Sequence, residues 1–357
     1  MLGLRSSSFS DLDPPRRVVR IISNMQGGRT EDGLRSDLRV FFIRHSDFCI
    51  PNSKMPDFAA HLAKSCGFDL DRLLIRPGKK VSVKRDFDPA YTGSFQSKEE
   101  AQQELIVNVE RLSQAQDTLY ASDKYALLIV LQAMDAAGKD STIKHVMSGV
   151  NPQGCQVFSF KSPSAEELDH DYLRRSMIRV PPRGHIGIFN RSHYEEVLVT
   201  RVHAELLARQ HLPKIPKGKV IWKQRFAEIN HYEQYLSQNG ILTLKFFLNV
   251  SKKEQKRRFL KRIEEKEKNW KFSANDIRER QFWDKYQEAY EDMFNHTSTP
   301  WAPWFVIPAD HKWFTRLAVS AIVVAALNSL KLTYPKISEE AAKALETAKQ
   351  GLLAEGA

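Results

Sequence analysis

The sequence predicts an α/β protein in which a parallel sheet is covered by helices on both faces. Short apolar runs of strand length alternate with longer helical patterns over residues 97–330, which is the order typical of βαβ units. The runs are continuously apolar, as expected of strands that are buried on both faces. A content of 42% hydrophobic and 27% charged residues in 357 is that of a soluble globular protein. It excludes a collagen-like, mucin-like or wholly disordered chain.

The first regular elements begin after residue 96. Residues 97–119 are predicted to form a charged amphipathic helix, because Ser97 can cap it and Glu100 follows three residues later. Residues 125–131 are continuously apolar and of buried-strand length. The remaining predicted elements are the helix 138–149, strand 156–160, helix 164–177, strand 186–189, helices 193–208 and 222–238, strand 241–250, helices 252–268 and 273–295, strand 304–307 and helix 312–330.

The chain divides into four predicted regions. Residues 1–54 lack periodicity and form an N-terminal extension, which is either a flexible tail or untranslated sequence upstream of a start at Met55. Residues 55–96 are an N-terminal arm, 97–335 a single α/β domain, and 336–357 a C-terminal helical tail.

The charge balance indicates a polyanionic partner. Lys and Arg exceed Asp and Glu by 54 − 43 = 11, so nucleic acid, an anionic membrane surface or a phosphate-rich small molecule are the candidates. The three cysteines are odd in number and unclustered, which predicts neither disulfides nor a zinc site and favours the cytoplasm. The most apolar stretch, 317–330, is too short to span a bilayer, so no membrane association is expected.

The first motif that indicates chemistry follows the strand 125–131. Gly138 and Lys139 form a turn at the start of a helix, the position at which a phosphate-binding loop (P-loop) uses free backbone N–H groups and a lysine. Ala133 replaces the first glycine of the strict G-x4-G-K-[ST] pattern, and Asp140 replaces its hydroxyl. The predicted fold is therefore a P-loop kinase-like three-layer sandwich. The alternative interpretation of the Gly138–Lys139 segment is a plain strand-to-helix turn with a solvated lysine. The predicted phosphate-binding residues of this loop are Ala136, Ala137, Gly138, Lys139, Asp140 and Ser141.

Carboxylates close to this loop predict a metal or an activated nucleophile. Asp135 would repel phosphate unless Mg²⁺ lies between them or it activates an attacking phosphate oxygen. The strand 186–189 ends in Asn190 and Arg191, which a parallel sheet delivers to the same crevice. Arg191 is predicted to contact the transferring group and Glu195 to hold metal, possibly through water. The alternatives are that Asn190 is a helix cap and that Glu195 only supplies charge at a helix N-terminus.

A third signal is a proline-interrupted, wholly cationic segment at about 209–225. We expect it to be a helical basic lid that closes on a highly charged ligand, although a merely solvated loop is the alternative. The charged helix 252–268 mixes both signs and is interpreted as a solvated face. The predicted lid cations are Lys214, Lys217, Lys219, Lys223 and Arg225.

With these residues assembled, the sequence resembles the polyphosphate kinase 2 family over roughly residues 75–335. The matching stretches are Pro77-Gly78-Lys79-Lys80, Ala133 to Lys139, Ser159 to Ser164, Phe189-Asn190-Arg191-Ser192, Trp270-Lys271-Phe272, Ala302-Pro303-Trp304, Ile307 to Asp310 and Lys312-Trp313. The family's own loop carries the same two departures from the strict pattern. Phe-Asn-Arg-Ser in place of Phe-Asp-Arg-Ser is similar to the subgroup that phosphorylates both nucleoside mono- and diphosphates.

The resemblance implies reversible phosphate transfer between polyphosphate and AMP, ADP or GDP, with Mg²⁺ and with Mn²⁺ as a substitute. It implies that Asp135 is catalytic and metal-linked, that Lys139 and Arg191 hold phosphates, and that Asn190 and Glu195 tune the acceptor site. Further phosphate or polyphosphate contacts are expected at Lys79, Lys80, Lys161, Arg201 and the lid cations. A cytoplasmic homo-oligomer, dimer or tetramer, is expected.

Two other functions remain open from the residues. An ATP-dependent nucleotide kinase would share the sheet, the loop and the lid. A basic nucleic-acid-binding protein would share the net charge, but no RRM, KH or zinc motif is present and the cations cluster beside the P-loop. We therefore expect no nucleic-acid partner.

Overall fold

A computed structural model describes residues 68–216 and 218–355. The predictions for the extension 1–54, for a start at Met55, for the first part of the arm and for Lys217 fall outside the described residues. Residues 68–96 of the arm contain one turn of 3₁₀ helix, one short strand and one short α-helix.

The described residues build one six-stranded sheet in the order β1-β6-β5-β2-β4-β3. The strands are β1 (Leu74–Ile75), β2 (Ala126–Ala133), β3 (Cys155–Ser159), β4 (Ile186–Asn190), β5 (Ile241–Asn249) and β6 (Trp304–Pro308). β2 lies between β5 and β4, and the four strand pairs β3–β4, β4–β2, β2–β5 and β5–β6 are all parallel. Only β1 is antiparallel, with Leu74 opposite Phe305. The predicted parallel α/β fold is confirmed.

Helices cover both faces of this sheet. They are α1 (Val83–Asp86), α2 (Lys98–Ser122), α3 (Lys139–Val146), α4 (Ala165–Leu168), α5 (Arg174–Met177), α6 (Glu195–Val202), α7 (Glu205–Ala208), α8 (Val220–Gln238), α9 (Lys252–Glu264), α10 (Ala274–Gln281), α11 (Trp283–Thr297), α12 (Lys312–Ser329) and α13 (Glu339–Ala354). α12 packs against α2 and α3, and a second group consists of α6, α8 and α11. No described helix has the length and apolar content to cross a bilayer.

The core follows from the apolar runs of the sequence. All eight residues of β2 are buried, as are all residues of β4 and β6. α12 is buried over most of its length, which explains its apolar composition without a membrane. Ser97 caps α2 as predicted, its side chain accepting from the backbone N–H of Glu100.

Three predicted helices are interrupted. The segment 164–177 forms α4 and α5, 193–208 forms α6 and α7, and 273–295 falls within α10 and α11. Side chains explain two of the breaks, since Asp171 accepts from the backbone N–H groups before α5 and His203 bonds Glu279 at 2.9 Å. A pattern of apolar spacing carries no information about such polar contacts. The predicted helix 252–268 likewise ends at Glu264, where a 3₁₀ turn follows.

Candidate active site

The carboxyl ends of β2 and β4 bring the two predicted motifs together. The strands pair in register, with Leu131 opposite Asn190, so the loop after β2 and the residues after β4 share one edge of the sheet. The backbone N–H of Arg191 donates to the carbonyl of Leu131 at 3.0 Å and fixes this junction.

The loop between β2 and α3 has the backbone of a tight anion cradle. Gly138 has φ +116°, a conformation that side-chain-bearing residues rarely adopt, and Ala136 has φ +61°. Left-handed residues at these places turn the chain sharply into α3, whose first N–H groups then face the crevice. A non-glycine residue in this region costs on the order of 1 kcal/mol or more, which is typical of functional sites.

Lys139 lies at the first position of α3 and folds back over the loop. Its Nζ donates to the carbonyl of Ala133 at 3.1 Å, so the backbone of the residue that replaces the first glycine still orients the lysine. Burial, and secondarily the nearby Arg191 guanidinium, lower the pKa of Lys139 to about 8. The ammonium is thus still charged at neutral pH and is only lightly stabilised before a phosphate arrives.

Arg191 joins the two predicted carboxylates. Its guanidinium donates to Asp135 at 2.8 Å and to Glu195 at 3.2 Å. The Glu195 and Asp135 charges raise the pKa of Arg191 despite its burial. Arg191 has φ +63°, so the residue that bridges the two carboxylates also carries backbone strain.

Asn190 contacts the P-loop helix directly. Its side-chain amide donates to the Asp140 carboxylate at 2.6 Å. Asn190 therefore does not cap the following helix, which begins at Glu195. This contact also accounts for Asp140 at the usual hydroxyl position, because an amide here satisfies a carboxylate that a second carboxylate would repel.

Helix α9 holds the P-loop through side-chain hydrogen bonds to its backbone. The interpretation of this helix as a solvated face missed this role. Arg258 Nη1 donates to the carbonyls of Ala136 (3.1 Å) and Ala137 (2.6 Å), and Gln255 donates to the carbonyl of Asp135 (3.0 Å). The buried residues Gln255, Arg258 and Phe259 are spaced i, i+3 and i+4. This face was detectable by its spacing, but two of its three members are polar and so carried no hydrophobic signal.

Two further titratable residues, which were not predicted, interact electrostatically with this group. Burial and the Asp135 carboxylate raise the pKa of Asp276, while the nearby Arg262 and Arg191 oppose this shift. Burial and the Glu195 carboxylate raise the pKa of Tyr290, with Arg191 opposing. Both side chains thus lie within electrostatic reach of the Asp135–Arg191–Glu195 group.

The carboxylates suit a magnesium ion that is shared with substrate. Mg²⁺ is commonly held by one or two carboxylates together with substrate phosphates and water. Asp135 and Glu195 supply two, and both pair with the same guanidinium, that of Arg191. The described residues contain no group of three or more His, Cys, Asp or Glu that could hold a metal by themselves. Two carboxylates fit an ion that is shared with substrate phosphates.

The predicted outer cations differ in placement. Lys214 is exposed on the segment that leads into α8, Lys219 just before its first residue and Lys223 in its first turn, and their role in a lid stays a prediction. Lys79, Lys80 and Lys161 are also exposed, and no hydrogen bond or ion pair joins their side chains to the P-loop within the described residues.

Two predicted phosphate contacts are occupied by internal partners. Arg225 is buried at the base of the lid, where it pairs with Glu196 (3.1 Å) and Glu228 (2.9 Å) and stacks over Tyr172. Arg201 pairs with Asp292 at 2.5 Å. Both charges are balanced by carboxylates of the protein, and Arg225 anchors α8 in this structure, while its contact with polyphosphate stays a prediction. A run of like charges in sequence does not show which of its members has a buried counter-ion.

The description "Polyphosphate kinase 2 (PPK2)" belongs to the family model that matches residues 95–335. The chain belongs to the polyphosphate kinase 2 family. The match spans the P-loop, the Arg191 loop, the lid and α12. The resemblance inferred from the motifs is thereby confirmed at the level of the family.

Relatives of known description agree with this family. The chain is 50% identical over 280 residues to an ADP-polyphosphate phosphotransferase of Rhodopseudomonas palustris, covering 77% of this chain and 96% of the relative. It is 44% identical over 263 residues to an AMP/ADP-polyphosphate phosphotransferase of Meiothermus ruber, covering 73% and 94%. The crystal structure of polyphosphate kinase 2 from Arthrobacter aurescens superposes with a TM-score of 0.69 at 36% identity, covering 77% of this chain and 99% of that one.

Proposed function

We propose that this protein transfers phosphate between inorganic polyphosphate and nucleoside mono- and diphosphates. The observation that carries the proposal is the Arg191 guanidinium held between Asp135 and Glu195, beside Lys139 of the P-loop, in a polyphosphate kinase 2 chain. Relatives named for ADP, AMP/ADP and GDP as acceptors support the substrate class.

The charge and position of each side chain support a role for it in this reaction. The backbone N–H groups at the start of α3 and the Lys139 ammonium bind the terminal phosphates of the donor chain. A phosphate oxygen of the nucleotide attacks the terminal phosphorus, and the bridging oxygen to the shortened polyphosphate leaves. Arg191 releases one of its two carboxylates and contacts the transferring phosphoryl group instead. The equatorial oxygens of that group carry the charge of the transition state. Asn190 fixes the loop through Asp140 and faces the acceptor.

We propose Mg²⁺ as the cofactor, with Mn²⁺ as a substitute, held by Asp135 and Glu195 together with substrate phosphates. When bound, the ion neutralises phosphate charge that the two carboxylates would otherwise repel. Reversibility follows from chemistry, since a phosphoanhydride bond is broken and another is formed, so concentrations set the direction.

A donor comparison tests the function. Purified protein is given ADP or AMP with polyphosphate, or an acceptor with ATP, at matched Mg²⁺. We expect product only with polyphosphate at a useful rate. Faster turnover with ATP would establish the nucleotide-kinase alternative, and tight salt-resistant RNA binding without transfer would establish a nucleic-acid-binding protein.

We propose further that the enzyme works as a homo-oligomer in the cytoplasm. The exposed apolar side chains of Met177, Ile178 and Tyr235, of which Met177 and Tyr235 line one cavity, support an interface between copies. Light scattering of the purified protein and fractionation of cells decide these points.

A further inference from the structure

A second group of cations lies at the carboxyl end of β6, and the proposed reaction does not use it. Lys312 and Arg316 are four residues apart, one turn from each other, at the N-terminal end of α12, the helix that follows β6. Arg316 Nη2 donates to Ser141 Oγ at 2.8 Å, so it reaches the first turn of the P-loop helix. Asn190 and Arg191 approach the P-loop from the β4 side, whereas this pair approaches from the β6 side.

A direct bridge connects this group to the P-loop. One Arg258 guanidinium donates both to the P-loop carbonyls of Ala136 and Ala137 and to the carbonyls of Ala309 and Asp310, just before α12. The P-loop and the N-terminus of α12 are therefore held as one unit. α12 begins without a side-chain cap, so its first N–H groups add to the positive potential.

The two α12 cations have no counter-charge in the part of the chain described. Three neighbouring cations each pair with a carboxylate, Arg258 with Glu254, Arg262 with Asp276 and Lys268 with Glu265. Neither Lys312 nor Arg316 forms an ion pair with a described carboxylate, and Arg316 Nε is buried with no hydrogen-bond partner there. Desolvation, followed by the charges of Arg258, Arg316, Lys268 and Arg262, lowers the pKa of Lys312 to about 8. Cations held together without a partner indicate that an anion completes the group.

We propose that Lys312 and Arg316 bind inorganic polyphosphate, at phosphates of the donor chain that lie beyond those held by the P-loop. The proposal rests on the proposed function, which it extends by giving the donor a path across the P-loop toward β6. A nucleoside diphosphate has only two phosphates, and in the proposed reaction it is the acceptor that attacks the terminal phosphorus of the donor, so it leaves the α12 cations unused. Only a longer phosphate chain reaches the loop and the α12 cations together.

The test compares two variants with the same change of charge. Lys312→Met with Arg316→Met removes the proposed contacts, and Lys343→Met with Lys349→Met removes two exposed cations from α13, which has no buried residue. Affinity for fluorescently labelled long polyphosphate is measured directly, without turnover, at several salt concentrations. We expect the α12 variant to bind about tenfold more weakly and the α13 variant to match wild type. The slope of log affinity against log salt is expected to fall by about 1.4, at ~0.7 for each lost contact.

Kinetics separate this site from the proposed function. We expect the apparent KM for long polyphosphate to rise about tenfold in the α12 variant, with the KM for ADP and the kcat at saturating polyphosphate within about twofold. Unchanged polyphosphate affinity in a folded α12 variant overturns the proposal, as does an equal rise of both KM values. If wild type binds polyphosphate through α12 but transfers no phosphate from it, the site stands and the proposed function fails.

Discussion

Lys139 and Asp135 occupy the centre of the proposed chemistry, so single substitutions there separate charge from fold. Lys139→Ala is expected to lower kcat by about 10²-fold or more, because a preorganised positive charge at the transferring group is lost. Lys144→Ala, an exposed lysine of the same helix, is the matched control. Steady-state kinetics with polyphosphate and ADP measure both. Near-native rates for Lys139→Ala would contradict the site.

Asp135→Asn removes one of the two carboxylates that hold Arg191 and preserves side-chain size. We expect a loss of turnover comparable to that of Lys139→Ala with an unchanged melting temperature, because the carboxylate is half-buried and Arg191 keeps Glu195. A lower Mg²⁺ affinity, measured by titration of activity, should accompany it. A much lower melting temperature of this variant would show that Asp135 stabilises the fold.

Lys312 gives a pH-dependent prediction about stability. Because its pKa in the folded protein is lowered to about 8, from 10.5, the folded state binds fewer protons than the unfolded state between these values. The charged form therefore costs stability below about pH 8, and this cost disappears as pH approaches 10.5. Without polyphosphate, Lys312→Met is expected to raise the melting temperature at pH 7 and to lose this advantage by about pH 10.5. A constant difference across this range would contradict it.

Much of the site could be predicted at the residue scale, and the limits have a physical cause. Asp135, Lys139, Asn190 and Arg191 lie within local sequence motifs whose spacing fixes where they go. Arg258 was missed because its partners are backbone carbonyls some 120 residues earlier in the chain, and carbonyls carry no sequence signal. The buried carboxylate partners of Arg225 were missed because a basic run does not show which of its members pairs with a distant carboxylate.

At the scale of the element, helix α8 combines a cationic surface with a buried anchor. Lys219→Met with Lys223→Met is expected to raise the apparent KM for polyphosphate more than that for ADP, and less so at high salt, because exposed charges are screened within about 8 Å near physiological ionic strength. Arg225→Met instead leaves Glu196 buried without its cation. We expect it to destabilise the protein by about 3 kcal/mol. Chemical denaturation and kinetics of both variants provide the comparison. Equal stability loss in both would mean that the lid cations are also structural.

Helix boundaries show what periodicity can and cannot give. The strands and the long helices α2, α8 and α12 lie within a few residues of their predicted ranges, because apolar residues recur along their buried faces. The breaks at Asp171 and His203 depend on polar contacts, one local and one with Glu279, which apolar spacing does not reveal, so each pair of helices was predicted as one.

At the scale of the whole molecule, α13 is separable from the enzyme. It has no buried residue, and the family match ends at residue 335. A protein that ends at residue 335 is expected to keep its melting temperature within about 2 °C and its kcat, since almost no apolar burial is lost. Differential scanning fluorimetry and the donor assay check this. Light scattering of the same protein shows whether the exposed Leu345, Leu352 and Leu353 join copies. A large drop in melting temperature would place α13 in the fold.

The antiparallel strand β1 has a consequence for how the chain is made. Leu74 pairs with Phe305, a partner 231 residues later, so the first strand of the sheet has no template until almost all of the domain has left the ribosome. During synthesis the strand pairs β2–β4 and β4–β3 become possible first, and β5 and β6 then extend the sheet one strand at a time. Closing so long a loop for two residues of pairing is entropically expensive, and it makes β1 a late step of folding. The backbone edge of β6, where the N–H of Val306 donates to the carbonyl of Leu73 at 2.7 Å, stays unpaired until that step, and this is the interval in which a nascent chain would most need a chaperone.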